Sequence, residues 1–296
     1  MDRLKLWLDA SRPTSTTKLV LLATPLMNAS AEAARRAEMI SRGLGAELVS
    51  LRVSSASSHA QHRPTVGSCA SSDSLGDYSL SPGSKGHWLL TRQGDFLAVV
   101  AETARALVPI FVLIPDICGL NAASVCQLVF ECRAPVLLAR EARESNAVVA
   151  ATDLEKPTFP VLRAGALLSS SLGARPVFLH NLAPDSPVRR SERFTSKKPP
   201  PSVGSRLDDL SAIASSLRVE SENIVTTHAS PAEALLAFVR RDRPDVVIVG
   251  AREHETRYLG SAPLAEALIE AFTGNVLLVP LNRSVGEDRA MPYGFS

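Results

Sequence analysis

The sequence has little of what several large classes of protein depend on. Aromatic residues make up 5% of the 296 residues, so a surface that stacks single-stranded nucleic acid is not expected. The formal net charge is only +2, which is too balanced to indicate binding to nucleic acid or to an anionic membrane by itself. No apolar run is long enough to span a bilayer, and residues 1–13 lack the apolar core of a secretory signal. These absences favour a cytoplasmic protein that binds neither nucleic acid nor membrane.

Cysteine and the common catalytic motifs are also scarce. None of the four cysteines (Cys69, Cys118, Cys126 and Cys132) forms a CxxC pair, so we interpret them as small apolar residues rather than zinc or redox ligands. The sequence contains no P-loop, no GxSxG elbow, no HExxH and no GxGxxG. We therefore expect no metal site and no catalytic residue, and we expect the protein not to be an enzyme.

Residues 224–281 show clearly what the sequence does contain. The runs Val246–Val249 and Val276–Val279 are continuously apolar, which is typical of strands covered on both faces within a parallel sheet. Between them, a loop that starts at Gly250 leads through Gly260 and Ser261 into a helix. In open α/β sheets, ligands bind at the carboxyl ends of strands, and helix starts attract anions. This segment predicts an α/β fold and a small-molecule site.

The sequence repeats one order of strands and helices. Residues 147–151 form a predicted strand, residues 159–172 a helix closed by Gly173, and residues 176–179 a second strand. The first half has a strand at 18–23, a helix at 30–43, a strand that follows LGA, a helix at 94–107, a strand at 108–114 and a final strand that ends in PVLLA. We therefore predict two α/β domains, at residues 1–141 and 145–281, each with a mainly parallel sheet.

The halves differ most between residues 54 and 87. Ser, Gly and Pro dominate this run and aliphatic residues are few, so it cannot bury much apolar surface. The pattern predicts that the first half has lost a helix here or holds it loosely. The sequence does not decide whether the run is ordered.

Three local patterns resemble the universal stress protein family. They are VVAATD followed by LLSSSLGARPVFLHNL, then SPAEALLAFVRRDRPDVVIVG, then LGSAPLAEALIEAFTGNVLLVPL. The whole chain thus looks like a tandem universal stress protein. The resemblance implies two adenine nucleotide alpha hydrolase-like domains, each with a parallel sheet of about five strands. It also implies that the halves pair as an intramolecular pseudo-dimer through their last strands, and that a homodimer can form.

The family's nucleotide motif is GxxG, nine residues, then Gly and Ser or Thr. Gly250 matches its first glycine, and Gly260 with Ser261 matches its closing pair. Glu253 stands in place of the second glycine, and the loop is about three residues shorter than the family pattern. Arg252 and His254 could offset the charge of that carboxylate. The resemblance implies ATP or a related adenine nucleotide as ligand of the second half.

The first half departs further from the motif. Thr24–Pro25 replaces the Asp that ends the first strand, and Ala123–Ser124 replaces the closing Gly–Ser. We expect the first half not to bind nucleotide.

Each candidate residue also has a purely structural interpretation. Asp153 lies near the adenine or ribose in the family, or it satisfies free amides at a helix entry. Gly250 lets a ligand approach, or it forms a turn with positive φ. Ser261 caps a helix, with or without a phosphate contact, and His254 lies in a solvated loop or meets phosphate. His180 is expected at a surface strand end, with the ligand crevice as the alternative.

Three functions follow from these patterns. The first is a non-catalytic stress-response module that senses a nucleotide or a partner and binds ATP weakly in its second half. The second is a slow nucleotide hydrolase or transferase in which Asp153 and the basic loop residues handle phosphate. The third is a scaffold or interaction protein that has lost its ligand site. The site residues of the first hypothesis are Asp153, Gly250, Arg252, His254, Gly260 and Ser261; protein partners are unknown.

Overall fold

The structure is a computed structural model, and it describes residues 18–26, 30–54, 81–82, 87–116, 120–140, 146–152, 159–181, 203–227, 231–251 and 264–281. Within the first half, the elements in chain order are β1 (Leu19–Pro25), α1 (Ala31–Leu44), β2 (Glu47–Ser54), β3 (Ser81–Pro82), β4 (His87–Gln93), α2 (Phe96–Leu107), β5 (Phe111–Pro115), α3 (Ala122–Cys132) and β6 (Val136–Ala139). Within the second half they are β7 (Ala147–Thr152), α4 (Phe159–Leu172), β8 (Arg175–Asn181), α5 (Val203–Ser216), a 3-10 turn (Ser221–Asn223), β9 (Ile224–Thr227), α6 (Pro231–Asp242), β10 (Val246–Ala251), α7 (Leu264–Ala271) and β11 (Asn275–Pro280).

The described strands form one continuous sheet of eleven strands, in the order β3-β4-β2-β1-β5-β6-β11-β10-β7-β8-β9. Apart from β3, the strands of each half are parallel to one another and follow the same order around their own first strand. The two predicted sheets are thus present as two sets of parallel strands, joined edge to edge into one sheet. The domain boundaries at 141 and 145 stay a prediction.

The junction between the halves is the antiparallel pair of β6 and β11. Leu137 lies opposite Leu277, with Val136 opposite Leu278 and Leu138 opposite Val276. This is the predicted pairing of the two last strands, which is confirmed. Because β6 and β11 run in opposite directions, the carboxyl ends of the two sets of strands lie at opposite edges of the sheet.

The pairing registers define equivalent positions in the halves. In each half, the register can be followed from the first strand (β1 or β7) through the fourth (β5 or β10) to the fifth (β6 or β11). This count places Leu137 of the first half and Leu277 of the second half at equivalent positions. An approximate two-fold axis therefore passes through this pair. By the same count Ile110 is equivalent to Asp245, and Pro135 to Asn275.

The first helices of the halves end alike. Gly45 and Gly173 follow α1 and α4 with φ of 59° and 63°, the left-handed conformation that glycine adopts most readily. The next amide, of Ala46 or Ala174, donates to the carbonyl five residues earlier at 2.8 Å in both cases. The predicted closure of a helix at Gly173 is confirmed, and these caps align α1 with α4 residue by residue.

Helices cover both faces of the sheet, as continuously apolar strands require. Buried side chains of α2, α3, α6 and α7 pack on one face and those of α1, α4 and α5 on the other. All five residues of β5 and the first four of β10 are buried. The predicted α/β class with a mainly parallel sheet is confirmed.

Two predictions for the first half were wrong in detail. The predicted strand at 108–114 begins at Phe111, because Val108 ends α2 in a left-handed conformation with φ of 50°. Arg243 has φ of 43° at the end of α6, so the second half ends that helix in the same way. The strand β4 was not predicted at all, because HWLLTRQ shows neither a continuous apolar run nor clean alternation. Residues 55–80 and 83–86, which hold most of the run at 54–87, lie outside the described residues.

Candidate functional site

The carboxyl edge of the second half has the topology of a ligand site. Strands β7 and β10 are neighbours in the sheet, although β8 and β9 lie between them in the chain. The helices that follow β7 and β10, α4 and α7, pack on opposite faces of the sheet. This is the switch point where open α/β sheets bind ligands. Thr152 and Ala251 end these two strands.

The two strands pair only along part of their length. Pairing between β7 and β10 ends at Ala150 with Ile248, whereas β7 continues with β8 as far as Thr152 with His180. The strand β10 likewise continues with β11 beyond Ile248, to the end of both strands. Toward the carboxyl edge, β7 thus stays paired with β8 and β10 with β11, whereas β7 and β10 no longer pair with each other. This geometry opens the sheet at the switch point.

The first half repeats the arrangement. Pairing of β1 with β5 ends at Leu22 with Leu113, while β1 continues with β2 and β5 with β6 to their last residues. The opening is therefore a property of the fold and appears in both halves. The halves differ in the sequence that follows the separating strands.

Gly250 is the only predicted site residue within the described part of the chain. It lies half-buried in β10, and its φ is not in the left-handed region, so the interpretation as a turn with positive φ was wrong. A Cβ at this position would lie 2.8 Å from Cγ of Leu281 and closer still to its Cδ1. The glycine therefore lets the Leu281 side chain pack across the end of β10. Ligand approach remains compatible with this position.

The other five predicted residues, Asp153, Arg252, His254, Gly260 and Ser261, lie outside the described residues. Their neighbours in the chain fix where each of these segments begins or ends. Thr152 is the last residue of β7, Ala251 is the last of β10, and α7 begins at Leu264. The predicted Asp and the predicted loop are thus attached to the two strands that separate, and the loop leads to α7.

His180 is fully buried, so its predicted place at a surface strand end was wrong. It lies within β8 between β7 and β9, opposite Thr152 and Thr226, on the same face as buried Phe178. Its Nδ1 lies 3.1 Å from the Thr152 carbonyl oxygen. A carbonyl oxygen only accepts, so Nδ1 carries the proton in this hydrogen bond. The contact ties the imidazole to the last residue of β7, one residue before Asp153.

The corresponding edge of the first half is held by an arginine. Arg140 follows β6, and its Nε donates to Asp116 Oδ2 at 2.5 Å. Its other guanidinium nitrogens donate to the carbonyl oxygens of Ile269, at 2.8 Å, and Phe272, at the end of α7. A guanidinium at a helix C-terminus satisfies free carbonyls and complements the helix dipole. The rim of the first half is thus bonded to the second half.

The helix that follows this edge corrects one predicted equivalence. Counted back from β6 and β11, Ser124 corresponds to Leu264 of α7, so it is not the equivalent of Ser261. Asn121 caps α3, and its side chain accepts from the Ser124 amide at 2.8 Å. Sequence reasoning missed this cap, although an Asn immediately before an apolar helix is the usual signal.

Neither a metal centre nor an activated thiol is present among the described residues. Among them, no three His, Cys, Asp or Glu side chains could hold a metal ion. Cys126 and Cys132 are buried in α3, and burial raises the pKa of both thiols from 9.0 to about 12, with Glu266 adding to the effect at Cys126 and Glu131 at Cys132. Such thiols are poor nucleophiles at neutral pH. Cys69 and Cys118 lie outside the described residues. No helix in the described ranges is long and apolar enough to cross a membrane.

Solved structures of similar fold match nearly the whole chain. A chain named as a universal stress protein from Pseudomonas aeruginosa UCBPP-PA14 has a TM-score of 0.59 and 12% identity, covering 94% of this chain and 95% of that one. A protein of unknown function from Pseudomonas aeruginosa PAO1 has a TM-score of 0.58 and 13% identity, covering 90% and 93%. A universal stress protein from Archaeoglobus fulgidus DSM 4304 has a TM-score of 0.57 and 11% identity, covering 89% and 97%. At these identities the likeness is one of fold, and it extends over both halves.

The sequence itself identifies the family in the second half. The sequence model described as the universal stress protein family matches residues 145–280. No curated protein matches the chain. The fold is that of an open α/β sheet with a ligand-type switch point, and this chain carries a universal stress protein domain at residues 145–280.

Proposed function

We propose that this protein is a non-catalytic stress-response module whose second half binds an adenine nucleotide, such as ATP, at the opening between β7 and β10. The observation that carries the proposal is the loss of pairing between these strands beyond Ala150 and Ile248, at the point where Asp153 and the Gly250 loop are attached. The family match covers the same half.

The binding mode follows from the chemistry of the predicted residues. Asp153 would accept hydrogen bonds from ribose hydroxyls or the adenine amine, since a carboxylate is an acceptor. The amides around Gly260 and Ser261, together with the start of the last helix, would hold phosphate oxygens, and Arg252 and His254 would balance their charge. The proposed binding mode assigns no residue the role of nucleophile or general base. The ligand would act by ordering the loop for a partner to recognise.

The experiment is an extraction of nucleotide from the purified full chain, followed by ATP titration in a calorimeter. We expect binding in the micromolar range without release of phosphate. Gly260→Asp should abolish binding, because a carboxylate there would repel phosphate. The matched control is Asn121→Asp, which adds the same charge at the equivalent helix start of the first half and should leave binding unchanged.

Other results would favour the other functions. Absence of micromolar binding would leave the scaffold interpretation, and sustained phosphate release would indicate the hydrolase. Unchanged affinity in Gly260→Asp would move the site elsewhere. Location in the cytoplasm and formation of a homodimer stay predictions.

A further inference from the structure

The apolar centre of the junction between the halves does not determine which halves pair. Leu137 and Leu277 face each other, and the neighbouring pairs are Val136 with Leu278 and Leu138 with Val276. All these side chains are buried aliphatics of similar shape. A β6 edge could therefore pair with a second β6, or β11 with a second β11, with nearly the same burial of apolar surface. Discrimination must come from other contacts.

A buried polar network lies beside these strands. Arg36 of α1 is 4% exposed, and its guanidinium donates to both carboxylate oxygens of Asp245, at 2.7 and 3.1 Å. Asn275 is fully buried. Its side-chain nitrogen Nδ2 donates to Oδ1 and to the backbone carbonyl oxygen of Asp245, both at 3.0 Å. The Asn275 side-chain oxygen accepts from the Arg140 amide at 2.8 Å. Both Arg36 and Arg140 belong to the first half, and both of their partners to the second.

This network does not follow the approximate two-fold symmetry of the fold. The aligned helix ends place Ala164 of α4 at the position equivalent to Arg36. The pairing registers place Ile110 at the position equivalent to Asp245, and Pro135 at the position equivalent to Asn275. The approximate two-fold axis thus relates the Arg36–Asp245 ion pair to a second location, where the equivalent residues are Ala164 and Ile110. The polar groups are complementary only between unlike halves.

Pairing of like halves would separate Arg36 from Asp245. If the first half met a second copy of itself, Arg36 would face Ile110 and keep the Glu32 carboxylate of its own helix, at 3.5 Å. If the second half did so, Asp245 would face Ala164 and keep the hydrogen bond from Asn275 of its own half. Leaving one member of a buried ion pair without its partner is far more costly than replacing both by apolar residues. Contacts that penalise the wrong partner are the usual means of achieving specificity.

We propose that Arg36, Asp245 and Asn275 select the partner of the β6–β11 edge. They restrict this edge to the unlike half and exclude pairing with the same half of a second copy. The chain between Arg140 and Asn146 has five residues, 141–145, so the unlike half of the same chain is always close by. The occupant of the edge is therefore the other half of the same molecule.

The deciding variant is Arg36→Ala with Asp245→Ile in the full chain. It gives the Arg36 and Asp245 positions the residues of the symmetry-related contact, Ala and Ile. Apolar contact therefore remains, while the discrimination that the ion pair provides is lost. The protein is refolded from denaturant at a series of increasing protein concentrations, and its molecular mass is then measured by light scattering. We expect the parent to give one mass throughout and the variant to show mass rising with refolding concentration. Its unfolding midpoint should be equal to or above that of the parent.

Two comparisons keep the result interpretable. Arg92→Ala with Glu102→Ala removes an ion pair between β4 and α2 of the same half, 2.9 Å long, and should behave as the parent. Should the apolar variant fail to fold, exchange of the charges replaces it. Asp245→Arg alone should associate, and Arg36→Asp with Asp245→Arg should return to the parental mass.

A role in stability alone predicts other results. The apolar variant would then lose stability and keep the parental mass at every refolding concentration. Equal masses for the single and the exchanged charge variants would likewise overturn the proposal.

Discussion

Gly43 of α1 and Ser171 of α4 occupy equivalent positions in the two halves and meet each other where the helices cross. A Cβ on Gly43 would lie 2.5 Å from Cα of Ser171 and 2.7 Å from its carbonyl carbon. Backbone atoms cannot move away as the end of a side chain can. The absence of a side chain at Gly43 therefore sets how closely the halves approach on this face.

Gly43→Ala should destabilise the protein, although Gly to Ala within a helix is normally stabilising by about 1 kcal/mol. Overpacking against the backbone of α4 should reverse the sign and cost about 1–3 kcal/mol. Chemical unfolding measures the difference. The control is Arg42→Ala, an exposed neighbour in the same helix that should change stability by less than about 0.5 kcal/mol. A gain of stability in Gly43→Ala would contradict the close crossing.

Arg140→Ala should cost about 1.5–3 kcal/mol, because the hydrogen bonds of the guanidinium to the end of α7 are charge-assisted and shielded from solvent. Asp116→Asn removes the exposed carboxylate and should cost no more than about 1 kcal/mol. Unfolding by denaturant gives both values. Equal effects of the two changes would mean that the ion pair, and not the cap on α7, is the important contact.

Cys126 and Cys132 should resist alkylation at pH 8 in the folded protein and react after unfolding. Burial raises the pKa of both thiols to about 12, so the thiolate forms in the unfolded chain first. Their contribution to stability is therefore complete below about pH 9 and is lost as the pH rises toward 12. Peptide mapping after alkylation tests the first expectation. Comparison with the Cys126→Ala, Cys132→Ala variant isolates the second from other groups that titrate in this range.

Phe178→Ala should cost about 3–5 kcal/mol, since this ring is fully buried in β8 on the face where α4 and α5 pack. The equivalent residue of β2 is Ser50, half-exposed and 2.8 Å from Nε2 of His87. Ser50→Ala should cost about 1 kcal/mol or less. Thermal unfolding of both variants measures whether the halves differ here as the burial indicates. Similar losses would contradict the difference.

Much of the fold could be predicted because its signals are local. Continuous apolar runs identify buried parallel strands, and the glycine at the end of α4 identifies a helix terminus, as Gly173 shows. The start of β5 was misplaced because Val108 adopts a left-handed conformation that valine rarely takes. Nothing in a valine predicts this; the conformation is imposed by the turn into β5.

Less of the site and the junction could be predicted, because both depend on contacts between distant segments. Leu281 explains the glycine at 250, yet the two are separated by the whole last helix and strand. Arg36 reads in the sequence as a surface residue of an amphipathic helix, and its bonds to Asp245 depend on how the halves meet. The burial of His180 likewise depends on the strands and helices around it, which its own sequence context does not reveal.

Because the strands of the two halves run in opposite directions, the two edges of the sheet at which strands end differ in chemistry. We call the edge with the carboxyl ends of the second-half strands the front, and the opposite edge the back. The second half presents its opened strand ends on the front, while the first half presents the same topology on the back, bonded there by Arg140 and Asp116. Under the proposed function, a protein that recognises the bound nucleotide would have to dock from the front. A fluorescent label on the back, at exposed Asp95 of the α2 cap, would therefore leave that approach unobstructed.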